Sequence, residues 1–450
     1  MPQIDRARLQ SLMDREQKRF VAERPKSAAL FERARKSLLG GVPMNWMAKW
    51  AGAFPPFVRE ARGAEFFDVD GHRYIDLCLG DTGAMTGHSP SATVSAVEQQ
   101  ARRGITTMLP SEDAIFVGEE LQQRFGLPYW QFALTATDAN RFSIRLTRHI
   151  TKRPKILVFN WCYHGTVDET FITLKDGVEQ ARRGNIGPPV DPPVTTRVVE
   201  FNDLDALEAA LRNEDVACVL AEPALTNVGI VLPESGYHQT LRDITRKHGT
   251  LLIIDETHTI CAGPGGYTRT ENLEPDFLVF GKPIAGGVPG AAYGFTAEVA
   301  QCVVDQMNLE DCDTGGIGGT LAGNALSLAA MRATLQKVLT KEAFDRMIPL
   351  AQRWTDGVAK AISDFGLPWN VTRLGCRAEY LFSSQTPKNG TQAHAAMDFE
   401  LERFMHLYAM NRGILLTPFH NMALMSPVTA KEDIDQHTKV FRDAARELVG

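Results

Sequence analysis

The sequence predicts an α/β protein: a large domain on a mainly parallel sheet, with a smaller α+β domain drawn from the chain termini. Three observations predict it. Four short runs, 155–159, 217–220, 251–254 and 277–280, are apolar on both faces. Strands of a parallel sheet covered by helices on both sides read this way. Helical patterns separate the runs from about residue 110 onward, as alternating β and α elements require. The chain has 450 residues, more than one hydrophobic core holds, since single cores stop growing at about 250–300 residues.

The elements follow in order. Residues 1–37 carry dense mixed charge with scattered Leu, Met and Phe and predict one or two surface helices. The break at Leu39-Gly40-Gly41-Val42-Pro43 leads into an aromatic, Met-rich stretch at 44–57. That stretch fits core packing and, equally, the wall of a ligand pocket, which is mainly apolar and aromatic. Residues 64–76 predict two short strands around Asp70-Gly71. Beyond residue 320 the chain is mainly helical from Asn324 to Gly366, with a strand at 379–382 and helices at 397–410 and 431–448. Loops are expected at 184–193 and 385–390. The expected domains are an N-terminal segment, 1–75, belonging to the small domain, a large ligand-binding domain, 76–325, and a C-terminal α+β domain, 326–450.

Charge and composition exclude several classes. The net charge is −6, from 48 basic and 54 acidic residues, which argues against a nucleic-acid surface. Cys78, Cys162, Cys218, Cys261, Cys302, Cys312 and Cys376 stand singly with no CxxC pair, so reduced, buried thiols in a cytoplasmic protein are expected rather than a disulfide framework. No metal site is expected. The N-terminus is charged and lacks the apolar stretch of a secretory signal. No run approaches the roughly 18 apolar residues of a membrane span.

In open α/β sheets ligands bind beyond the carboxyl ends of the strands. After the four apolar runs stand Tyr163-His164-Gly165, Glu222-Pro223, Asp255-Glu256 and Gly281-Lys282. An aromatic ring, carboxylates and a lysine thereby converge on one sheet edge. That set suits an electron-sink cofactor. A carboxylate favours a protonated ring nitrogen, a lysine with a lowered pKa forms an imine and shuttles a proton, and a helix N-terminus with hydroxyls suits a phosphate dianion. Asp255 fits the first role and Lys282 the second. Thr135-Ala136-Thr137-Asp138-Ala139-Asn140, opening a helical pattern, fits the third, and fits a simple helix N-cap as well.

The segment from Leu251 through Asp255-Glu256-Thr257, followed by Phe280-Gly281-Lys282, resembles the class III aminotransferases, which include glutamate-1-semialdehyde aminomutase. Asp255 and Lys282 are 27 residues apart (282 − 255), as the family's pattern has it. Asp68-Val69-Asp70-Gly71 with Gly87-His88 looks like the family's N-terminal signature. The resemblance covers roughly residues 38–440. It implies the fold type I of pyridoxal-phosphate (PLP) transferases, PLP as cofactor on a Lys282 Schiff base, Tyr163 stacked on its ring, and Glu222 placing water or an active-site arginine. It also implies a homodimer with shared active sites, in which Thr320 of Gly318-Gly319-Thr320 reaches the neighbouring subunit's phosphate. The sequence departs from the family at Ala136, where glycine is usual, at Thr257 beneath the ring, and at His258, which contacts cofactor or substrate or is simply packed.

The implied activity is transfer of an amino group from an amine or a β- or ω-amino acid to an oxo acid, with Lys282, Asp255 and Glu222 catalytic. A carboxylate substrate calls for an arginine fork. Residues 44–49 offer only Lys49, and 416–422 offer no arginine. The substrate candidates are therefore Trp46, Lys49, Arg377 and His420, with a surface salt bridge from Arg377 to Glu379 or Asp76 as its alternative role. The alternative activities are an aminomutase or epimerase, a decarboxylase, and a non-catalytic PLP-binding protein.

Overall fold

The computed structural model describes residues 4–306 and 315–450; Cys312 lies outside them. The chain forms two compact units. The central unit comprises 91–341 and 387–395, and the terminal unit 1–90, 342–386 and 396–450.

The central unit is organised by one seven-stranded sheet. Its strands are β1 (Tyr129–Ala133), β2 (Lys155–Phe159), β3 (Thr196–Val199), β4 (Val216–Ala221), β5 (Leu251–Asp255), β6 (Phe277–Phe280) and β7 (Ala291–Phe295), in the order β1-β7-β6-β5-β4-β2-β3. Only β7 runs against its neighbours. The four apolar runs are β2, β4, β5 and β6, side by side in the middle. Every residue of β4 and β6 is buried, so neither face needs polar side chains. Each Leu, Ile, Val or Phe buried here contributes about 1.5–3 kcal/mol.

Helix α1 (Ala136–Thr151) packs Ala139, Ser143, Leu146 and Thr147 inward at helical spacing. One element was not expected. Ile172–Lys175 and Val178–Ala181 form an antiparallel hairpin; Asp176-Gly177, a pair that favours two-residue hairpin turns, joins its strands.

The terminal unit contains two sheets. Val58–Arg62, Glu65–Asp68, Arg73–Asp76 and Ile414–Leu415 form one; Asn370–Leu374, Arg377–Leu381 and Met422–Leu424 form the other. The two N-terminal helices, Arg6–Glu23 and Pro25–Ala34, are not merely a surface layer. Phe20 and Arg24 are fully buried. Arg24 lies over the Phe20 ring at 4.4 Å and donates to Tyr74 Oη at 2.9 Å and Asn411 Oδ1 at 3.1 Å. The charge pattern looked solvated because sequence does not show which charges have inward partners.

Candidate active site

The carboxyl ends of β5 and β6 are adjacent, with Asp255 opposite Val279. Lys282 follows three residues beyond Val279, so the sheet brings carboxylate and amine to one edge. Gly281 makes this possible. A Cβ there would lie 2.8 Å from the Ala136 Cβ, so glycine lets the strand end sit against the start of α1. Ala136, the departure from the family's usual glycine, is accommodated by that contact.

Asp255 is held from three sides. Its Oδ2 accepts from Asn140 Nδ2 at 2.8 Å and contacts His164 Nδ1 at 2.9 Å, while Oδ1 accepts from Thr257 N at 3.1 Å. Burial alone would raise the Asp255 pKa, but the hydrogen bond and charge of His164, with those of Thr257 and Asn140, outweigh it and hold the carboxyl below its ordinary value. His164 is the mirror case. Burial works against its charge, yet the neighbouring Cys162 sulfur and Asp255 raise its pKa. The result is an oriented, ionised carboxylate at a strand end. Asn140 was missed as a site residue; five positions after the cap, it lies on the face of α1 that meets the sheet.

The start of α1 is an ordered turn. Thr135 Oγ1 accepts from Asp138 N at 3.1 Å and donates to Asp138 Oδ2 at 2.8 Å. Thr137 Oγ1 accepts from Thr166 N at 3.0 Å. Gly165 has φ +77°, and a Cβ there would collide with Thr137 Oγ1; glycine is required for the approach. The first N–H groups of a helix have no intrahelical partner and suit a phosphate.

Glu222, beyond β4, accepts from Tyr163 N at 3.2 Å through Oε1 and from Thr226 N at 3.1 Å and Thr226 Oγ1 through Oε2. Burial raises its pKa despite the nearby His164. Both oxygens order the protein, so Glu222 acts here as the anchor of the Tyr163 segment. The Tyr163 ring meets Phe171 edge-on at 6.4 Å. Lys282 Nζ lies 2.6 Å from His258 Nε2. Thr320 is exposed in a turn.

These residues fit PLP: an anchored carboxylate for the ring nitrogen, a helix start for the phosphate and an amine for the aldehyde. Thr135, Ala136, Thr137, Tyr163, His164, Glu222, Asp255, His258, Lys282 and Thr320 all belong to the central unit. Trp46, Lys49, Arg377 and His420 belong to the terminal unit. There Lys49 Nζ lies 5.7 Å from the Trp46 ring and 5.4 Å from the Phe419 ring. Arg377 forms the salt bridge to Glu379 given as its alternative role, but in the interior rather than at the surface. It is fully buried and bonds Glu379 Oε2 at 3.3 Å, while His420 Nδ1 contacts Glu379 Oε1 at 3.1 Å. Asp76 pairs with His88 instead, at 2.7 Å. An arginine two residues from a glutamate on one strand shares its face, and here that face is interior.

The model of the family Aminotransferase class-III matches residues 46–445. The chain belongs to that family. The fold type I and PLP expected from the sequence are those of the family. The chain is 31% identical to the glutamate-1-semialdehyde 2,1-aminomutase of Persephonella marina, over 94% of this chain and 99% of that one. It is 49% identical, with a TM-score of 0.97 and 99% of each chain covered, to a glutamate-1-semialdehyde-aminomutase from Pseudomonas aeruginosa PAO1, a lysine-to-alanine variant in complex with PMP. An omega-transaminase from Sphaerobacter thermophilus is 28% identical, with a TM-score of 0.85, over 94% of this chain and 98% of that one.

Proposed function

We propose that this class III enzyme moves an amino group within one substrate, as an aminomutase of the glutamate-1-semialdehyde type with PLP as cofactor. The observation that carries this reading is the 49% identity, across 99% of both chains, with the Pseudomonas aeruginosa protein of that name. It replaces transamination, the main expectation from the sequence, with the alternative stated beside it.

When bound, PLP supplies an electron sink for the substrate carbon. The chain's residues do the rest. Lys282 Nζ carries the cofactor and moves a proton at the substrate carbon. Asp255 would meet the ring nitrogen and favour its protonated form. His164 and Asn140 hold Asp255 in place. Tyr163 would offer its aromatic face to the ring, and the turn from Thr135 to Thr137 would hold the phosphate. We also place the enzyme in the cytoplasm as a homodimer, of about 99 kDa from two chains of 49.7 kDa, which light scattering tests directly.

A second reading keeps the aminotransferase of an amine or β/ω-amino acid. The lack of arginine at 44–49 and 416–422 favours it, since a substrate carboxylate calls for a bidentate fork. Acceptor dependence separates the two. The PLP-loaded protein is given glutamate-1-semialdehyde and no oxo acid. Formation of 5-amino-4-oxopentanoate supports the aminomutase. Turnover of an amine only when an oxo acid is added supports the aminotransferase. Bound cofactor with no turnover of either kind leaves a PLP-binding protein without catalysis.

A further inference from the structure

Lys282 and His258 come from different strand ends and meet at 2.6 Å, Nζ to Nε2. Lys282 is the second residue beyond β6; His258 is the third beyond Asp255 of β5. Lys282 also has φ +45°, a left-handed backbone that costs a non-glycine residue about 1–3 kcal/mol. His258 is 9% exposed, so the imidazole is shielded while Nε2 meets the amine.

Two protonated nitrogens do not share a contact this short. With the imidazole neutral and its proton on Nδ1, Nε2 accepts from Lys282. A nitrogen at the Nζ position therefore has an acceptor beside it whose ordinary pKa is about 6.5.

We propose that His258 is the proton-exchange base of the active site, serving first the incoming substrate ammonium and then the product amine. This rests on the reading of Lys282 as the cofactor lysine. A substrate amine arrives protonated and is no nucleophile until it loses a proton. His258 Nε2 takes that proton: the substrate N–H bond breaks, its electron pair stays on nitrogen, and an Nε2–H bond forms with charge conserved. Lys282 Nζ is then released as a neutral amine that accepts a hydrogen bond from Nε2–H and is free to take the proton at the substrate carbon; Nε2 gives its own proton back to the product amine as that amine leaves. A substrate ammonium titrates above imidazole, whose ordinary pKa is about 6.5, so the transfer to Nε2 runs uphill and is drawn on by the attack that consumes the free amine.

Charged and titratable groups flank His258 on several elements. On its own element stand Asp255, bound to His164 and Asn140, and Glu256. The latter accepts from Thr259 Oγ1 at 2.6 Å, Tyr267 N at 3.1 Å and Thr268 N. The short helix Gly266–Thr270 packed against that element adds Tyr267 and Arg269, and β6 delivers Lys282.

The test compares wild type, His258→Gln, which keeps hydrogen-bonding capacity without titrating, and His258→Ala. Three quantities are read: the rate at which apoprotein captures PLP, the PLP dissociation constant, and the single-turnover rate with substrate across pH. The inference expects near-wild-type affinity and thermal stability in the Gln variant. It expects slower capture, a single-turnover rate down about 100-fold at pH 7, and loss of the acidic limb assigned to imidazole. Added imidazole should restore much of the rate in His258→Ala. A Gln variant with wild-type rates and pH profile overturns the inference while leaving the PLP reading intact. A wild-type protein that never develops the visible band of lysine-bound PLP overturns both.

Discussion

Both units bury charge, and they use it differently. In the central unit, Asp255, Glu222, His258 and Lys282 stand just past strand ends, where backbone direction brings separate stretches of chain to one edge. Each carboxylate is oriented by hydrogen bonds, and Asp255 is held ionised. In the terminal unit, Arg377, Glu379 and His420 are stapled to one another. Glu379 is likewise held below its ordinary pKa: burial opposes its charge, but His420 and Arg377 outweigh it. Other buried groups of this unit have their charged forms disfavoured by burial, Glu402 and His406 beside that triad and His437 against Trp354 and Phe441. The pKa of Glu402 is raised to about 7, and those of His406 and His437 are lowered to about 4 and about 3. On the proposed function, buried charge at Asp255 and Lys282 serves the chemistry, while Glu222 and the Arg377–Glu379–His420 group brace the fold. Burial alone does not tell them apart.

The sharpest way to break this contrast is at Lys282. Lys282→Ala should abolish turnover while shifting the melting midpoint by no more than about 2–4 °C, the equivalent of about 1 kcal/mol. Substantial activity in that variant would remove Lys282 from the chemistry. Asp255→Asn should retain the fold and lower single-turnover rates roughly 100- to 1,000-fold, because the ring nitrogen loses its anion. A rate near that of wild type would make Asp255 bracing as well.

Arg377→Ala should do the reverse. Leaving Glu379 buried without its guanidinium should cost about 3–5 kcal/mol of stability, read by urea unfolding, with turnover per folded molecule little changed. A stable variant that has lost substrate affinity would return Arg377 to the substrate site.

Acid should separate the units more gently. His406 and His437 have folded pKa values below their unfolded value of about 6.5. The unfolded chain therefore binds more protons below that pH, and stability falls as pH drops from about 6.5 toward 4. Glu402 opposes this between about 7 and its unfolded value of about 4.5, offsetting roughly one histidine. In the central unit His238, lowered to about 4, acts in the same direction, while Glu222 and Glu256, whose pKa values burial raises, act against it; His164, raised by its neighbours, takes up its proton above this range. Hydrogen exchange at pH 7 and pH 4.5 should show helix Lys431–Val449 losing more protection than β4 and β5. The smallest effect is at Thr135: Thr135→Ala removes the cap of α1 and should cost about 1 kcal/mol, with weaker PLP binding.

Much of the central unit was legible because its signals are local. Four apolar runs became four adjacent strands, and the residue types after them mark the site without any contact being known. Thr135 read as a cap because capping is decided within three residues. The rest depends on partners far away in sequence. Nothing near Asn140 announces that it will bond Asp255, 115 positions on, and nothing near Arg377 says that its face is interior. The hairpin at 172–181 was missed although Asp176-Gly177 marked it, since a two-residue turn is a weak signal in a polar stretch.

The sequence by itself determined the fold class and the family, and singled out the lysine and aspartate proposed for the site, because strand periodicity, turn residues and motif spacing are properties of the chain. Only the tertiary structure decided which buried charges meet one another. It tied both Glu222 oxygens to Tyr163 and Thr226, closed Arg377 onto Glu379, and set His258 against Lys282. Partner choice among buried charges is a matter of distance and desolvation, and neither exists until the chain has folded.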